Sequence, residues 1–237
     1  MANLLSNLDM AIIEVSFVIP VKNDSRVIKS IKKLKEYVHS RAINAEVIVC
    51  GKLGYHTIPQ DIKFIEVEPP DKGRCIRAGA MASRGNIVVL IDADLPVLLA
   101  DIDELISSAK NSDIVFGNRY LPSSSRFFNE PLIRFILSRI FHLLTQLIFQ
   151  LRGYDTQCGV KALKRIVKEK LFEYQITYGF AFDIELALRA KQLSLTSEQI
   201  PVHLKNPLGS TVKIPQTVAQ ILKETLILFY YFRIKVT

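Results

Sequence analysis

A chain of 237 residues, 49% hydrophobic and 23% charged, is long enough to bury a core without covalent staples, and its ten Gly and ten Pro exclude disordered, collagen-like and low-complexity classes. Cys50, Cys75 and Cys158 form neither a disulfide framework nor a zinc pattern, which points to buried thiols in a reducing, cytosolic compartment. A net charge of +8 combined with a mean hydropathy of +0.21 suits an anionic partner near apolar surface, whether nucleotide phosphates or lipid headgroups. The basic balance alone would suit nucleic acid equally, but that is the weakest reading, because no aromatic–basic interleaving or recognisable module accompanies the charge. No uninterrupted apolar run reaches the roughly 18 residues of a membrane span, and the opening MANLLSNLDM lacks the basic and apolar regions of a secretory signal.

The first half alternates strand and helix. EVSFVIPV (14–21) reads as a strand rich in β-branched residues, and Asp24 or Ser25 is placed to cap a helix over 25–38. Strands follow at 44–51 and 61–68, then a helix at 72–83 and a buried strand, NIVVLIDAD, at 86–94. A helix at 101–109 and a strand at 113–120 complete this half. Such alternation implies βαβ units and a largely parallel sheet, with ligands beyond the carboxyl ends of the strands. A polar DTQCG loop, a helix at 182–192, a strand near 194–204 and a C-terminal helix follow. With no repeat and no linker, residues 1–237 form one α/β domain, with a half at 14–120, a half at 121–213 and a terminal helix at 214–237.

Between Pro131 and Lys170, eight Lys or Arg face two acids, so this window carries +6 of the net charge. It contains LIRFILSRIFHLLTQLIFQL, apolar around most of a helical circumference, with Arg134, Ser138, His142 and Gln146 in i, i+4 register as one polar stripe. Two readings stay open here: an interfacial helix with its apolar sides in the acyl boundary, or a core helix. The C-terminal helix, with Pro215 in its first turn, is open between a second surface anchor, a homo-oligomer contact and ordinary packing.

Asp92-Ala93-Asp94 closes a hydrophobic strand with two carboxylates, whose desolvation requires a cation or donors. A hard divalent ion completed by substrate phosphates meets that need; the alternative is that Asp94 caps the next helix. Lys72, Gly73, Arg74, Arg77 and Gly79 precede the strand and offer cations and helix-start amides to an anion. Gly159 and Gly179 sit beside polar or acidic residues, which suits close backbone approach to a ligand.

Together these segments resemble glycosyltransferase family 2, of the GT-A nucleotide-sugar fold, and within it the dolichyl- and polyprenyl-phosphate sugar synthases. VIPVKND (18–24) is similar to the family's first-strand motif, DKGRCIRAG (71–79) to its glycine-basic motif, and IDAD (91–94) to its D-x-D strand. GNRY (117–120), YDTQCGVKALKR (154–165), YGFAFDIEL (178–186) and GSTV (209–212) match further blocks, of which DTQCG followed by FDIEL is the most specific.

The resemblance implies transfer of a sugar from a nucleoside diphosphate, of the UDP-glucose or GDP-mannose type, to a polyprenyl (dolichyl) phosphate, with Mg²⁺ or Mn²⁺ and with inversion. The protein would then lie peripherally on the cytoplasmic membrane face. By the same resemblance Pro20, Asn23, Asp24, Lys72, Gly73, Arg77, Asp92 and Asp94 bind the nucleotide sugar. Asp92 and Asp94 hold the metal, and Asp94, Asp183 and Arg119 are catalytic. Arg134 and Ser138 hold the acceptor phosphate, while Asp155, Gln157 and Glu185 line the sugar side. Because Asp183 and Glu185 do not share a helix face, one functional acid and one structural acid are expected. The chain departs from the family at Cys50 and Gly51, where acids are usual, and at Lys22, Pro96, Leu204 and Thr211, with Lys213 near the last. Two other activities fit the same residues: transfer to a soluble or protein-linked glycan, and a scaffold of this fold without catalysis.

Overall fold

The computed structural model describes residues 12–126, 132–205 and 214–235, with the side chains at 126, 132–135, 137 and 214–218 outside that set. Strand β1 (Val15–Lys22) leads through helix α1 (Arg26–Ser40) to β2 (Ala45–Lys52) and β3 (Lys63–Glu66). Then come α2 (Lys72–Ala82), β4 (Ile87–Ile91), α3 (Leu99–Asn111), β5 (Ile114–Asn118) and the short β6 (Ser125–Arg126). Helix α4 (Leu132–Phe149), β7 (Val160–Lys164), α5 (Lys168–Phe172) and α6 (Phe182–Gln192) follow. Strands β8 (Ser197–Pro201) and β9 (His203–Leu204) lead to α7 (Ile214–Phe229), which ends in a π-helical turn at Tyr230–Lys235.

The seven-stranded sheet has the order β3-β2-β1-β4-β7-β5-β8, and β6 pairs with β9 beside it. All pairings are parallel except those of β7, which runs antiparallel to both β4 and β5. Successive side chains of a strand point to opposite faces, so β1 feeds two cores. Phe17 and Ile19 pack with Val27, Ile31 and Leu34 of α1 and with Ile102 and Leu105 of α3. Val18 turns the other way, with Val88 and Leu90, against Ile76 and Ala80 of α2 and Ile184 and Ala187 of α6. This is the mainly parallel, helix-flanked α/β sheet that the alternation implies.

Strand β7 corrects the sequence reading, which leaves residues 154–165 without a strand. Its pattern, VKALK, is masked by Lys161, which is buried and points inward to meet Asp183 instead of water. The single strand expected over 194–204 is divided into β8 and β9, with Val202 donating its amide to the Asn118 carbonyl at 3.2 Å between them.

Helix α4 packs Phe149 into the core, with Phe141 and Ile148 against it, yet much of its apolar surface faces outward. His142 and Thr145 of its polar side are buried, whereas Leu143 is 61% and Leu147 78% exposed, with Ile136, Ile140 and Leu144 also exposed. Helix α7 is likewise mixed: Leu228 enters the core and Glu224 and Thr225 are buried, while Leu226 is 69% exposed, alongside Leu222 and Ile227. Each helix therefore combines a core contact with an exposed apolar strip wider than a water-facing helix usually carries. No helix among the described residues is long and apolar enough to cross a membrane.

Candidate active site

The site lies where the topology predicts ligands, beyond the carboxyl ends of β1 and β4. Asp92 follows β4 directly, with its amide donating to the Gly159 carbonyl at 3.1 Å. Gly159 is small for a reason: a Cβ there would stand 2.3 Å from Asp92 Oδ2. The turn after the acid pair places Leu95 at φ 48°, a left-handed conformation costly for a branched side chain and common at functional turns. Asp94 does not cap α3. That helix start is met by Asp101, whose Oδ2 accepts from the Leu98 amide at 3.0 Å.

Each acid of the pair meets a different cation. Lys72, at the start of α2, places Nζ 2.8 Å from Asp92 Oδ1 and 3.5 Å from Asp183 Oδ2. Asp183 is itself buried and takes a second cation, Lys161, at 2.6 Å. Arg26, at the start of α1, reaches Asp94 Oδ2 with Nη1 at 3.1 Å. The same guanidinium grips Asp24 with Nη2 at 2.6 Å and Nε at 2.9 Å, and the Arg26 amide also donates to Asp24 Oδ1 at 3.0 Å. Burial and the neighbouring Asp92 charge push the Asp94 carboxyl above its ordinary pKa, with Arg26 opposing them. Neither Arg26 nor Lys161 was singled out from sequence; only their proximity in the fold reveals them.

A second polar cluster joins the end of β5 to α4. Arg119 donates to Asp155 through Nε at 2.7 Å and Nη2 at 2.8 Å, and its amide reaches the same carboxylate at 3.0 Å. The Tyr120 ring lies against His142, with centroids 4.2 Å apart, and carries the Arg139 guanidinium 4.5 Å from its centroid. Tyr120 and Ser138 hydroxyls stand 3.4 Å apart. Burial, together with the charges of Arg119 and Arg139, lowers the His142 pKa against the pull of Asp155, so the ring is neutral near pH 7.

Other candidates fall elsewhere. Glu185 is buried with its oxygens taken by the Ile176 and Thr177 amides, the Thr177 hydroxyl and Arg189, a structural place distinct from that of Asp183. The Gly73 amide is engaged by the Tyr178 carbonyl at 2.7 Å, which corrects its role as a free anion-binding donor. Its value is close approach: a Cβ would meet Tyr178 O, Phe182 Cβ and Gln175 Nε2 at 2.8 Å each. Arg77 donates to the Glu173 carbonyl at 3.4 Å, away from the acid pair. Pro20 lies in β1 opposite Cys50, and Asn23 begins the turn after it at φ 52°. Gln157 keeps a buried Nε2 without a hydrogen-bond partner. The side chain of Arg134 and the whole of GSTV (209–212) with Lys213 lie outside the described residues.

The departures at Cys50 and Gly51 have a packing cause. Gly51 has φ 135°, and a Cβ there would lie 1.9 Å from the Val21 carbonyl oxygen. Cys50 is buried against α2, where a Cβ on Gly79 would approach its sulfur to 2.8 Å. All three cysteines are free and buried, and burial pushes each thiol up to about 12.

Among the described residues no three His, Cys, Asp or Glu side chains enclose a metal site. The donors present nevertheless suit a hard ion, since Mg²⁺-type sites use one or two carboxylates and complete their shell with water and substrate phosphate. Asp92 and Asp94 supply those carboxylates, and the missing side chain at Gly159 gives the Asp92 carboxylate the room it occupies.

The sequence profile described as glycosyl transferase family 2 matches residues 54–172. The chain belongs to that family. Among its relatives is a dolichyl-phosphate beta-glucosyltransferase of Trichomonas vaginalis, 29% identical over 225 residues, covering 84% of this chain and 68% of the relative. A dolichyl-phosphate beta-glucosyltransferase of Drosophila melanogaster is 29% identical over 151 residues, covering 60% of this chain and 46% of the relative. This family 2 chain therefore spans little more than two thirds of one relative and under half of the other. Among solved structures, glucosyl-3-phosphoglycerate synthase from Mycobacterium tuberculosis in complex with Mn²⁺, UDP and phosphoglyceric acid superposes with a TM-score of 0.66 at 15% identity. That match covers 91% of this chain and 78% of the synthase. It establishes the GT-A fold, and with the family assignment the protein is a glycosyltransferase.

Proposed function

We propose that this glycosyltransferase moves glucose from UDP-glucose onto dolichyl phosphate at a membrane surface, using Mg²⁺ or Mn²⁺ and inverting the anomeric centre. One observation carries the reading: α4 turns Ser138 and His142 toward Tyr120, next to Arg119 in the chain, while Ile140, Leu143, Leu144 and Leu147 stay exposed. An anion site placed beneath an outward apolar helix fits an acceptor with a phosphate head and a lipid tail. The names of the relatives support the sugar and the acceptor, and the Mn²⁺ and UDP bound by the structural neighbour support the donor and the ion.

The chemistry asks little of a general base. An acceptor phosphate monoester is largely ionised near neutral pH, with a second pKa of about 6 in comparable phosphoamino acids. Its oxygen attacks the anomeric carbon as the bond from that carbon to the diphosphate breaks and the electron pair leaves with the diphosphate. Arg119 and Ser138 hold the attacking phosphate; Asp155 fixes the guanidinium plane. Asp92 and Asp94 would hold the divalent ion, whose positive charge would offset the negative charge of the leaving diphosphate. Lys72 ties Asp92 to Asp183 and so fixes the position of the one acid relative to the other. Rate then comes from alignment and electrostatic stabilisation. The protein would sit peripherally, with α4 and α7 against the lipid.

The test is transfer by purified protein, with dolichyl phosphate in vesicles and radiolabelled UDP-glucose or GDP-mannose, with and without Mn²⁺. Metal-dependent label in the organic phase from UDP-glucose is the expected result. Label released only as free sugar would overturn the acceptor, lipid label from GDP-mannose alone would overturn the donor, and no turnover would favour a scaffold.

A further inference from the structure

The carboxylate of Glu224 in α7 is buried and reaches across to the segment that leads into α6. Its Oε1 accepts the Gly179 amide at 2.8 Å and its Oε2 the Ala181 amide at 3.1 Å, with Gln220 Nε2 donating to Oε1 at 3.2 Å. A charged acceptor strengthens these bonds, and the start of α6 adds the positive end of a helix dipole. Gly179 carries no side chain where this carboxylate sits: a Cβ there would stand 2.6 and 2.8 Å from its two oxygens. On its other side the same segment touches the candidate site. The Tyr178 carbonyl takes the Gly73 amide at 2.7 Å, and the Tyr178 ring carries the Arg74 guanidinium 4.1 Å from its centroid. Lys72 Nζ lies 5.6 Å from the centre of the Phe182 ring. Asp183 is the next residue, and it shares Lys72 with Asp92.

We propose that Glu224 is a positioning residue, which locks residues 178–181 to α7 and thereby sets the placement of Asp183 and Lys72. It acts through backbone amides, not on the reacting atoms. With both amides held, the Tyr178 carbonyl stays against the start of α2, and Lys72 stays between Asp92 and Asp183. With the carboxylate withdrawn, two buried amides lose their acceptor, and the segment must shift to satisfy them. The Gly73 amide then opens as well, because the first amides of a helix have no partner within it. Leu222 and Leu226 each stand two positions from Glu224, about 200° round the helix, so the exposed apolar strip and the latch lie on opposite sides of one element. The kinetic consequence rests on the transfer reaction proposed above, whereas the latch rests on geometry alone.

The experiment follows amide hydrogen exchange residue by residue in the full chain, alongside transfer kinetics from UDP-glucose to dolichyl phosphate in vesicles. Glu224→Gln removes the charge and turns a donor toward one of the two amides. Gly179→Ala displaces the carboxylate from the other side, against the end of a side chain that can swing away. In each variant, exchange at Gly179, Ala181 and Gly73 should quicken by about tenfold, while the β4 amides stay within about twofold of native. Gly73 is the decisive amide because Glu224 does not touch it. The kcat of transfer should fall by about tenfold or more, with the KM for dolichyl phosphate within about twofold. Thermal melts accompany both variants, and if the glutamine variant does not fold the alanine variant decides. Unchanged exchange at Gly73, or equal quickening throughout β4, would overturn the latch. A raised KM with unchanged kcat would overturn the positioning role and leave α7 serving the acceptor alone. No transfer by the native protein would overturn the proposed function, and exchange at Gly73 would still decide the latch.

Discussion

Arg119 and Asp155 meet edge to edge, with two side-chain hydrogen bonds of 2.7 and 2.8 Å, in a position where Asp155 is fully buried. Burial alone would favour the neutral acid. The charge and hydrogen bonds of Arg119 outweigh it and hold the Asp155 carboxyl below its ordinary pKa of 3.8. The pair thus sets both the aim of Arg119 and part of the acid stability of the protein.

Asp155→Ala should destabilise the fold by about 3–5 kcal/mol at pH 7, because it strands a buried guanidinium. A depressed folded pKa contributes stability that is complete above the unfolded value and lost as the pH falls through the folded one. The gap between native and variant proteins should therefore be constant from pH 7 to about 5 and close below about 4. Urea unfolding across that range measures it; a gap that persists at low pH would show that packing, not charge, is at stake.

Asp94→Asn should behave in the opposite sense on stability. The pKa of Asp94 is raised by burial and by Asp92, so neutralising it relieves a cost, and the melting temperature should hold or rise. Transfer should nevertheless fall by about 10²-fold or more, since an ion ligand contributes several kcal/mol to the transition state.

Gly159→Ala tests the acid pair from the other side. The new Cβ would lie 2.3 Å from Asp92 Oδ2, the far end of a side chain that can swing away, so the fold should survive. Asp92 must then abandon its orientation. Circular dichroism should be unchanged, while nucleotide-dependent Mn²⁺ binding weakens by about tenfold.

The double variant Leu143→Gln/Leu147→Gln addresses the outward face of α4. Both side chains are already largely exposed, so stability should shift by less than about 0.5 kcal/mol. If that face enters lipid, each change forfeits up to about 1.5–3 kcal/mol of burial, and sedimentation with phosphatidylcholine–phosphatidylserine vesicles should fall by tenfold or more. Unaltered vesicle binding would remove α4 from the membrane contact.

The alternating strands and helices of the first half were legible because their apolar residues keep a clean period, as Val27, Ile31 and Leu34 do in α1. The Asp92–Asp94 pair was legible because charge at the end of an apolar strand demands a partner. Arg26 was not, since one Arg on a helix carrying several cations looks like solvated surface until the fold brings Asp94 to it. Strand β7 escaped for a related reason: Lys161 imitates a solvent-facing residue although its true partner, Asp183, lies 22 positions later. The direction in which α4 presents its stripe also needed the structure, because periodicity defines two faces without saying which one meets water.

That late strand has a consequence for how the chain is assembled. Both sheet neighbours of β5 are β7 and β8, which are formed by residues 160–164 and 197–201. When residue 120 has been synthesised, β1 to β4 can already pair side by side, but β5 has no edge to join. Cutting the gene at the apparent midpoint would yield a four-stranded fragment trailing an orphaned apolar strand, IVFGN, an invitation to aggregation. The first 120 residues and the rest are thus sewn together by β7 against β4 and β5 and by β8 against β5, and neither part can be expected to mature before the other arrives.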